Sequence, residues 1–255
     1  MQDSKILGID VGASGIKGAI IDVETGELLT QKLRLETPQP STPEAMSQTF
    51  KEVADAFKWK GMIGCGFPTL VRDGVSISAS NLDQSWVGQN VEAVFSSATG
   101  CTVKVLNDAD AAGIAEMHFS VGKNSHGTII FITIGTGLGS ALFIDGKIVP
   151  NTEFGQLYLK GQENLAEQYA SSSAKDRDNL SWEEWAKRFD EYLQHLELLF
   201  SPTLFLLGGG TSKHFDEYAS FFTVQTPIKP AQLQNSAGMI GAAYYAYEME
   251  YGYAR

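Results

Sequence analysis

Apolar residues along this chain fall into short runs, several closed by glycine, and these runs alternate with stretches of helical periodicity. Lys5 to Asp10 reads as a buried strand, Lys17 to Asp22 as a second and Leu28 to Glu36 as a third, with Gly26 of ETGE at the hairpin turn. Pro38, Pro40 and Pro43 mark a loop, and Ser41 or Thr42 is placed to cap a helix from Pro43 to Phe57. A strand in GMIGCGFP, a helix in VEAVFSSATG closed by Gly100, a strand in TVKVLND and a helix over Ala109 to Met117 continue the alternation. Beyond a polar linker, Lys123 to His126, a second strand–glycine–strand hairpin runs from Thr128 to Lys147, and Glu163 to Phe200 is predominantly helical. Within SWEEWAKRFDEYLQHLELLF, Ser181 is the expected N-cap and Glu184 its capping-box partner, while Trp182, Trp185, Phe189, Tyr192 and Leu196 fall on a core face. The last segment is an Ala-rich helix with Gly238 and Gly241 suited to close packing. The repeated hairpin predicts an α/β protein of two lobes with similar topology: residues 1–126, with the helix 237–255 packing back on them, and residues 127–236.

Three glycine-rich turns interrupt the buried runs. The first holds Gly12, Ser14, Gly15 and Lys17 after Asp10; the second holds Thr133, Gly135, Thr136 and Gly137; the third holds Gly209 and Gly210, with Lys213 just beyond. A turn without Cβ atoms brings backbone N–H groups close to an anion, so each suits a phosphate, although any one alone is also an ordinary tight connection. None matches GxxxxGK[ST] or GxGxxG followed by a ribose-binding acid, which disfavours the P-loop and dinucleotide folds.

Composition narrows the readings further. A chain of 255 residues, 43% hydrophobic, has ample apolar surface for one large or two modest domains. Its apolar runs are shorter than the roughly 20 residues of a membrane helix and no signal-peptide pattern opens it, so the expectation is a cytoplasmic protein with no membrane partner. Cys65 and Cys101, alone and far apart, suit buried thiols and exclude a zinc site built mainly on cysteine. A net charge of −11 without any basic run argues against nucleic acid as a partner.

The segments DVGASGIKG, NDADAAG, TIGTGLGSALFIDGK and LFLLGGGTSK together resemble the ROK family of sugar kinases. GFP, SNLDQSW, NTEFGQL and TPIKPAQLQNSAGMIGAA are similar to its polyphosphate glucokinase and glucomannokinase branch. The resemblance runs from Ile6 to about Ala243 with the motif order unchanged. It implies a two-lobed actin-like ATPase (ribonuclease H-like) fold with a cleft between the lobes. It further implies phosphoryl transfer to a hexose hydroxyl from ATP or inorganic polyphosphate, Mg²⁺ as cofactor, no zinc, and a homodimer. Asp108 takes the place of the family's general base, and Asn81, Asn107 and Glu153 the places of sugar contacts. Asp10 takes that of the acid holding Mg²⁺ directly or through water, and the residues of the three glycine turns, with Lys213, those of the donor site. Gln156 stands where the family usually has His, so it can hydrogen-bond a sugar but carries no charge.

Read without the resemblance, Asp108 is an N-cap on the Ala109 to Met117 helix, the commoner role for an Asp at a strand-to-helix junction. Only Lys175 and Arg177 lend positive charge near ASSSAKDRDN, interleaved with Asp176 and Asp178, which gives a long polyanion little support and keeps ATP open as the donor. Two further readings stay open: a kinase for another hexose, and a catalytically silent sugar-binding or regulatory protein. A sugar-responsive repressor is disfavoured, because a strand expected from Lys5 leaves no room ahead of it for a helix-turn-helix.

Overall fold

A computed structural model describes residues 4–79 and 81–252, and these fold as two units. The first gathers the chain up to Ala115 and, from Ser236, the last helix; the second runs from Glu116 to Asn235.

The first unit holds strands β1 (Lys5–Gly12), β2 (Gly15–Asp22), β3 (Leu33–Leu35), β4 (Ile63–Phe67) and β7 (Val103–Asn107), in the order β3-β2-β1-β4-β7. A two-stranded ribbon, β5 (Val71–Arg72) with β6 (Val75–Ser76), lies outside that sheet. β1 and β2 pair antiparallel across the first glycine turn, whereas β1, β4 and β7 run parallel. Helices α1 (Pro43–Ala56), α2 (Val91–Thr99) and α3 (Asp108–Phe119) supply the connections. Thr42, not Ser41, caps α1, and Gly100 closes α2 in the left-handed conformation. Phe50 stacks on Phe95 with ring centroids 4.0 Å apart, and Phe67 meets Trp86 edge-on at 4.8 Å, in a core continuous with Leu7, Ile9, Ile63 and Val105.

The strand expected over Leu28 to Glu36 is shorter than the pattern implied. Only Leu33–Leu35 pair as a strand, with Leu28 forming a single bridge to Ile21. Between them Thr30 turns its hydroxyl onto the Ile20 N–H (3.0 Å) and so replaces a ladder bond with a side-chain bond.

The second unit repeats the arrangement with β8 (Thr128–Ile134), β9 (Leu138–Ile144), β10 (Lys147–Val149), β11 (Leu204–Gly209) and β12 (Ile228–Pro230), in the order β10-β9-β8-β11-β12. Here too the first three strands are antiparallel, and β8, β11 and β12 run parallel. Short helices α4 (Ala166–Ala170) and α5 (Ser172–Arg177) lead into α6 (Trp182–Phe200), and α7 (Phe215–Tyr218) follows the third glycine turn. Ser181 and Glu184 form the expected reciprocal cap on α6, and Trp185, Phe189, Tyr192 and Leu196 are buried in the core; Trp182 is only half-buried. No helix among the described residues is long and apolar enough to cross a membrane.

The last helix, α8 (Ala237–Tyr251), packs backbone to backbone inside the first unit. A Cβ at Gly8 would overlap the Met239 carbonyl, one at Gly64 the Ala242 carbonyl, and one at Gly241 the Ala111 carbonyl. Glycines on β1, β4 and α8 thus let the helix approach the sheet and α3 more closely than side chains allow.

Candidate functional site

In open sheets with parallel inner strands, ligands collect beyond the carboxyl ends of those strands. β1, β4 and β7 end together, and that brings Asp10, Gly66 and the Asn107–Asp108 pair to one place. The Cβ position of Gly66 is 3.7 Å from Asp10 Oδ1 and 3.7 Å from the Cα of Asp108, so the two half-buried acids flank the bare backbone of β4.

The helix cap at this junction belongs to Asn107, not Asp108. Asn107 Oδ1 accepts from the N–H groups of Ala109 (2.9 Å) and Asp110 (3.1 Å), while its Nδ2 donates to the Thr69 carbonyl (3.1 Å). Buried and so engaged, Asn107 keeps one amide hydrogen for a ligand. Asp108 is the first residue of α3; its Oδ1 accepts from the next N–H, that of Ala109, at 2.8 Å. Asn81 lies exposed in a turn ahead of Asp83, whose side chain caps the short helical turn Gln84–Trp86.

Asp10 accepts from Lys17 Nζ at 3.3 Å across the first hairpin, so this lysine is folded against an acid rather than left in solvent. Gly12, Ser14 and Gly15 form the hairpin tip, and Arg34 donates to the Ser14 carbonyl (2.8 Å). Its guanidinium lies where a side chain at Gly15 would sit, with Nε 2.6 Å from the Cβ position. Nothing in the sequence marked Arg34, because contact across a sheet depends on register between β2 and β3.

The second unit presents the remaining residues. At the second turn Thr133 ends near Gly135, Thr136 is exposed, and Gly137 has Glu167 Oε2 at 2.5 Å from its Cβ position. Gln156 Nε2 donates to Glu167 Oε1 at 2.8 Å. Sequence reasoning missed Glu167, which lies on α4 and ties the Glu153–Gln156 segment to the glycine turn; a pairing across eleven positions leaves no periodic signal. Glu153 is half-buried, and burial, followed by the charge of Glu167, pushes its carboxyl above the usual range. Burial, followed by the charges of Glu153 and Glu167, raises the Tyr192 phenol, which is buried with no hydrogen-bond partner among the described residues. At the third turn Gly209 adopts φ 81°, a conformation that favours glycine, and a 3₁₀ turn from Gly210 to His214 leaves Lys213 exposed.

Among the described residues no group of three or more His, Cys, Asp or Glu side chains converges as an all-protein metal cage. Asp10 and Asp108 flanking Gly66 instead offer one or two carboxylates, a donor set that fits Mg²⁺ arriving with phosphate and water oxygens.

Residues 6–153 match the ROK family. Polyphosphate glucokinase of Mycobacterium tuberculosis is 45% identical over 237 residues, covering 92% of this chain and 89% of its own length. Among solved structures, inorganic polyphosphate/ATP-glucomannokinase from Arthrobacter sp. strain KM superposes with a TM-score of 0.91 at 42% identity, covering 97% of this chain and all of its own. A ROK family glucokinase from Streptomyces griseus, solved with glucose and AMPPNP, gives a TM-score of 0.80 at 25% identity over 96% of this chain and 99% of its own.

Proposed function

The chain belongs to the ROK family and has its actin-like ATPase fold, and from that premise we propose that it is a sugar kinase transferring a phosphoryl group from polyphosphate or ATP to the 6-hydroxyl of glucose. The observation that carries this reading is the placement of Asp108 beside Asp10 at the ends of the parallel strands, with capping assigned to Asn107. A carboxylate at the ends of the parallel strands, beside a second acid, is placed for general-base work: Asp108 takes the proton of the sugar hydroxyl as that oxygen bonds to the terminal phosphorus and the bond to the leaving phosphate breaks.

Asn81, Asn107, Glu153 and Gln156 hold the sugar, Gln156 being oriented by Glu167. The amides of the three glycine turns, with Lys17 and Lys213, receive the donor; Asp10 holds Mg²⁺, which when bound offsets charge on the transferring phosphoryl group. Mannose is a second acceptor to examine, because a family with a glucomannokinase member shares this architecture. A cytoplasmic homodimer is the expected setting, with Leu198 and Leu199 exposed on α6 as an apolar surface for self-association.

Production of glucose 6-phosphate from glucose, Mg²⁺ and either donor tests the reading, alongside removal of Mg²⁺ by EDTA. Turnover with at least one donor that stops in EDTA and returns with added metal is expected. Glucose binding without turnover under any donor would replace the kinase with a silent sugar-binding protein.

A further inference from the structure

The carboxyl end of β4 carries a chain of hydroxyl groups that ends on the sugar residues named above. Thr69 follows Phe67 and Pro68 out of the strand, and its N–H turns back onto the Phe67 carbonyl at 2.8 Å. Its side chain is buried, and its Oγ1 lies 2.8 Å from the buried Ser76 Oγ of β6. Ser76 Oγ in turn donates to the Ser78 carbonyl at 2.7 Å. A serine has one hydroxyl hydrogen, so with that hydrogen spent on Ser78 the first bond runs one way: Thr69 donates and Ser76 accepts.

Both ends of this relay reach residues proposed to hold the sugar. The Thr69 carbonyl accepts from Asn107 Nδ2 at 3.1 Å, and that amide cannot be turned around, because its Oδ1 accepts from the N–H groups of Ala109 and Asp110. The position of the Thr69 carbonyl therefore sets the tilt of the Asn107 amide and the direction of its second hydrogen. At the other end Ser78 Oγ accepts from the Leu70 N–H (3.1 Å), and the Ile77 N–H donates to the Leu70 carbonyl (2.9 Å), so the chain leading to Asn81 is fastened to the residue after Thr69. Beyond Asn81, the Asp83 N–H donates to Ser41 Oγ at 3.1 Å, and Trp86 Nε1 to the Ser41 carbonyl at 2.8 Å. The ribbon β5–β6 has only two residues in each strand, too few to hold its register by ladder bonds alone, so the side-chain bonds take that part.

We propose that Thr69 is a positioning residue for the acceptor: its hydroxyl, through Ser76, holds Asn107 and the approach to Asn81 in one arrangement and so sets how the sugar is bound. In a buried relay each hydroxyl has its partner, and a member left without one is costly, so the arrangement is kept or lost as a unit. Valine in place of Thr69 keeps the branched shape and removes only the hydroxyl, whereas serine keeps the hydroxyl and removes only a methyl. This role rests on the kinase reading above and deepens its acceptor site, with no effect expected on the donor.

Glucose binding by calorimetry, steady-state kinetics with sugar and donor varied in turn, and thermal melting test it in the native protein, Thr69→Val, Thr69→Ser and Ser76→Ala. Thr69→Val is expected to raise the glucose Kd and KM by about fivefold or more, the effect of one hydrogen bond lost from a buried relay, with kcat and donor KM unchanged. Thr69→Ser should restore both constants. Ser76→Ala should act alike, and in the double variant Thr69→Val/Ser76→Ala the two effects should fall short of adding, because both break one relay. Ser76→Ala also carries the comparison where Thr69→Val does not fold. A melting temperature that falls while Kd and KM stay native makes Thr69 a packing residue and overturns the proposal, as does a donor KM that rises in step with that of glucose. Thr69→Ser that behaves as Thr69→Val also overturns it. Native protein that binds glucose but turns over with no donor overturns the kinase reading, and the calorimetric comparison still decides the relay; native protein that binds neither glucose nor mannose overturns both.

Discussion

At the scale of single residues, Asp108 and its neighbour divide two tasks that a strand-to-helix junction usually gives to one side chain. Asn107 caps α3 and bonds the Thr69 carbonyl, while the carboxylate of Asp108 stands beside Asp10 at the ends of the parallel strands. Asp108→Asn is therefore expected to cut kcat by about 10³-fold or more, within the range for a positioned general base, while calorimetry shows glucose binding close to native. Asn107→Ala should instead lower thermal stability through the lost cap. The junction was legible as a pair of polar residues, but the division of labour depends on which side chain reaches which N–H, a matter of backbone geometry that no spacing encodes. Glu153 gives a second test. Its carboxyl is raised, so the folded chain disfavours the ionised form; the group favours folding below the ordinary glutamate range, and that contribution is lost as pH rises through the raised value. Glu153→Gln removes the loss, so its melting temperature relative to native should climb from acid to neutral pH, while KM for glucose rises as an acceptor is lost.

At the scale of elements, the strands and helices with strong periodicity were readable in the sequence. α6 is the best instance, announced by Ser181 and Glu184 and by its aromatic face. The glycine hairpins were readable as turns, yet the reason for glycine differs among them. Gly209 answers to a left-handed φ, whereas Gly15 and Gly137 answer to the side chains of Arg34 and Glu167 lying against them. Those partners come from other elements, so local pattern could not name them. Gly137→Ala should displace Glu167 and, through it, Gln156, raising KM for sugar as well as for donor; a change confined to donor KM would refute that linkage. Gly64→Ala tests packing alone: with the Ala242 carbonyl in the way, overpacking should cost about 1–3 kcal/mol and lower Tm by several degrees in calorimetry.

At the scale of the whole molecule, two five-stranded sheets share one strand order, three antiparallel strands followed by two parallel strands that run out to the opposite edge. The duplicated hairpin made that symmetry legible, because the same strand–glycine–strand pattern occurs in both halves. The compact units divide at Ala115 and Glu116, within α3, a boundary that composition does not mark. The first unit also closes on α8, whose backbone occupies the space left by Gly8 and Gly64. A chain ended before Ser236 should therefore lack a cooperative transition for its first unit, read by near-ultraviolet circular dichroism. During translation this has a further consequence. The opening sheet leaves the ribosome well before α8 is made, so the second unit has all of its own residues before the first can close on its helix.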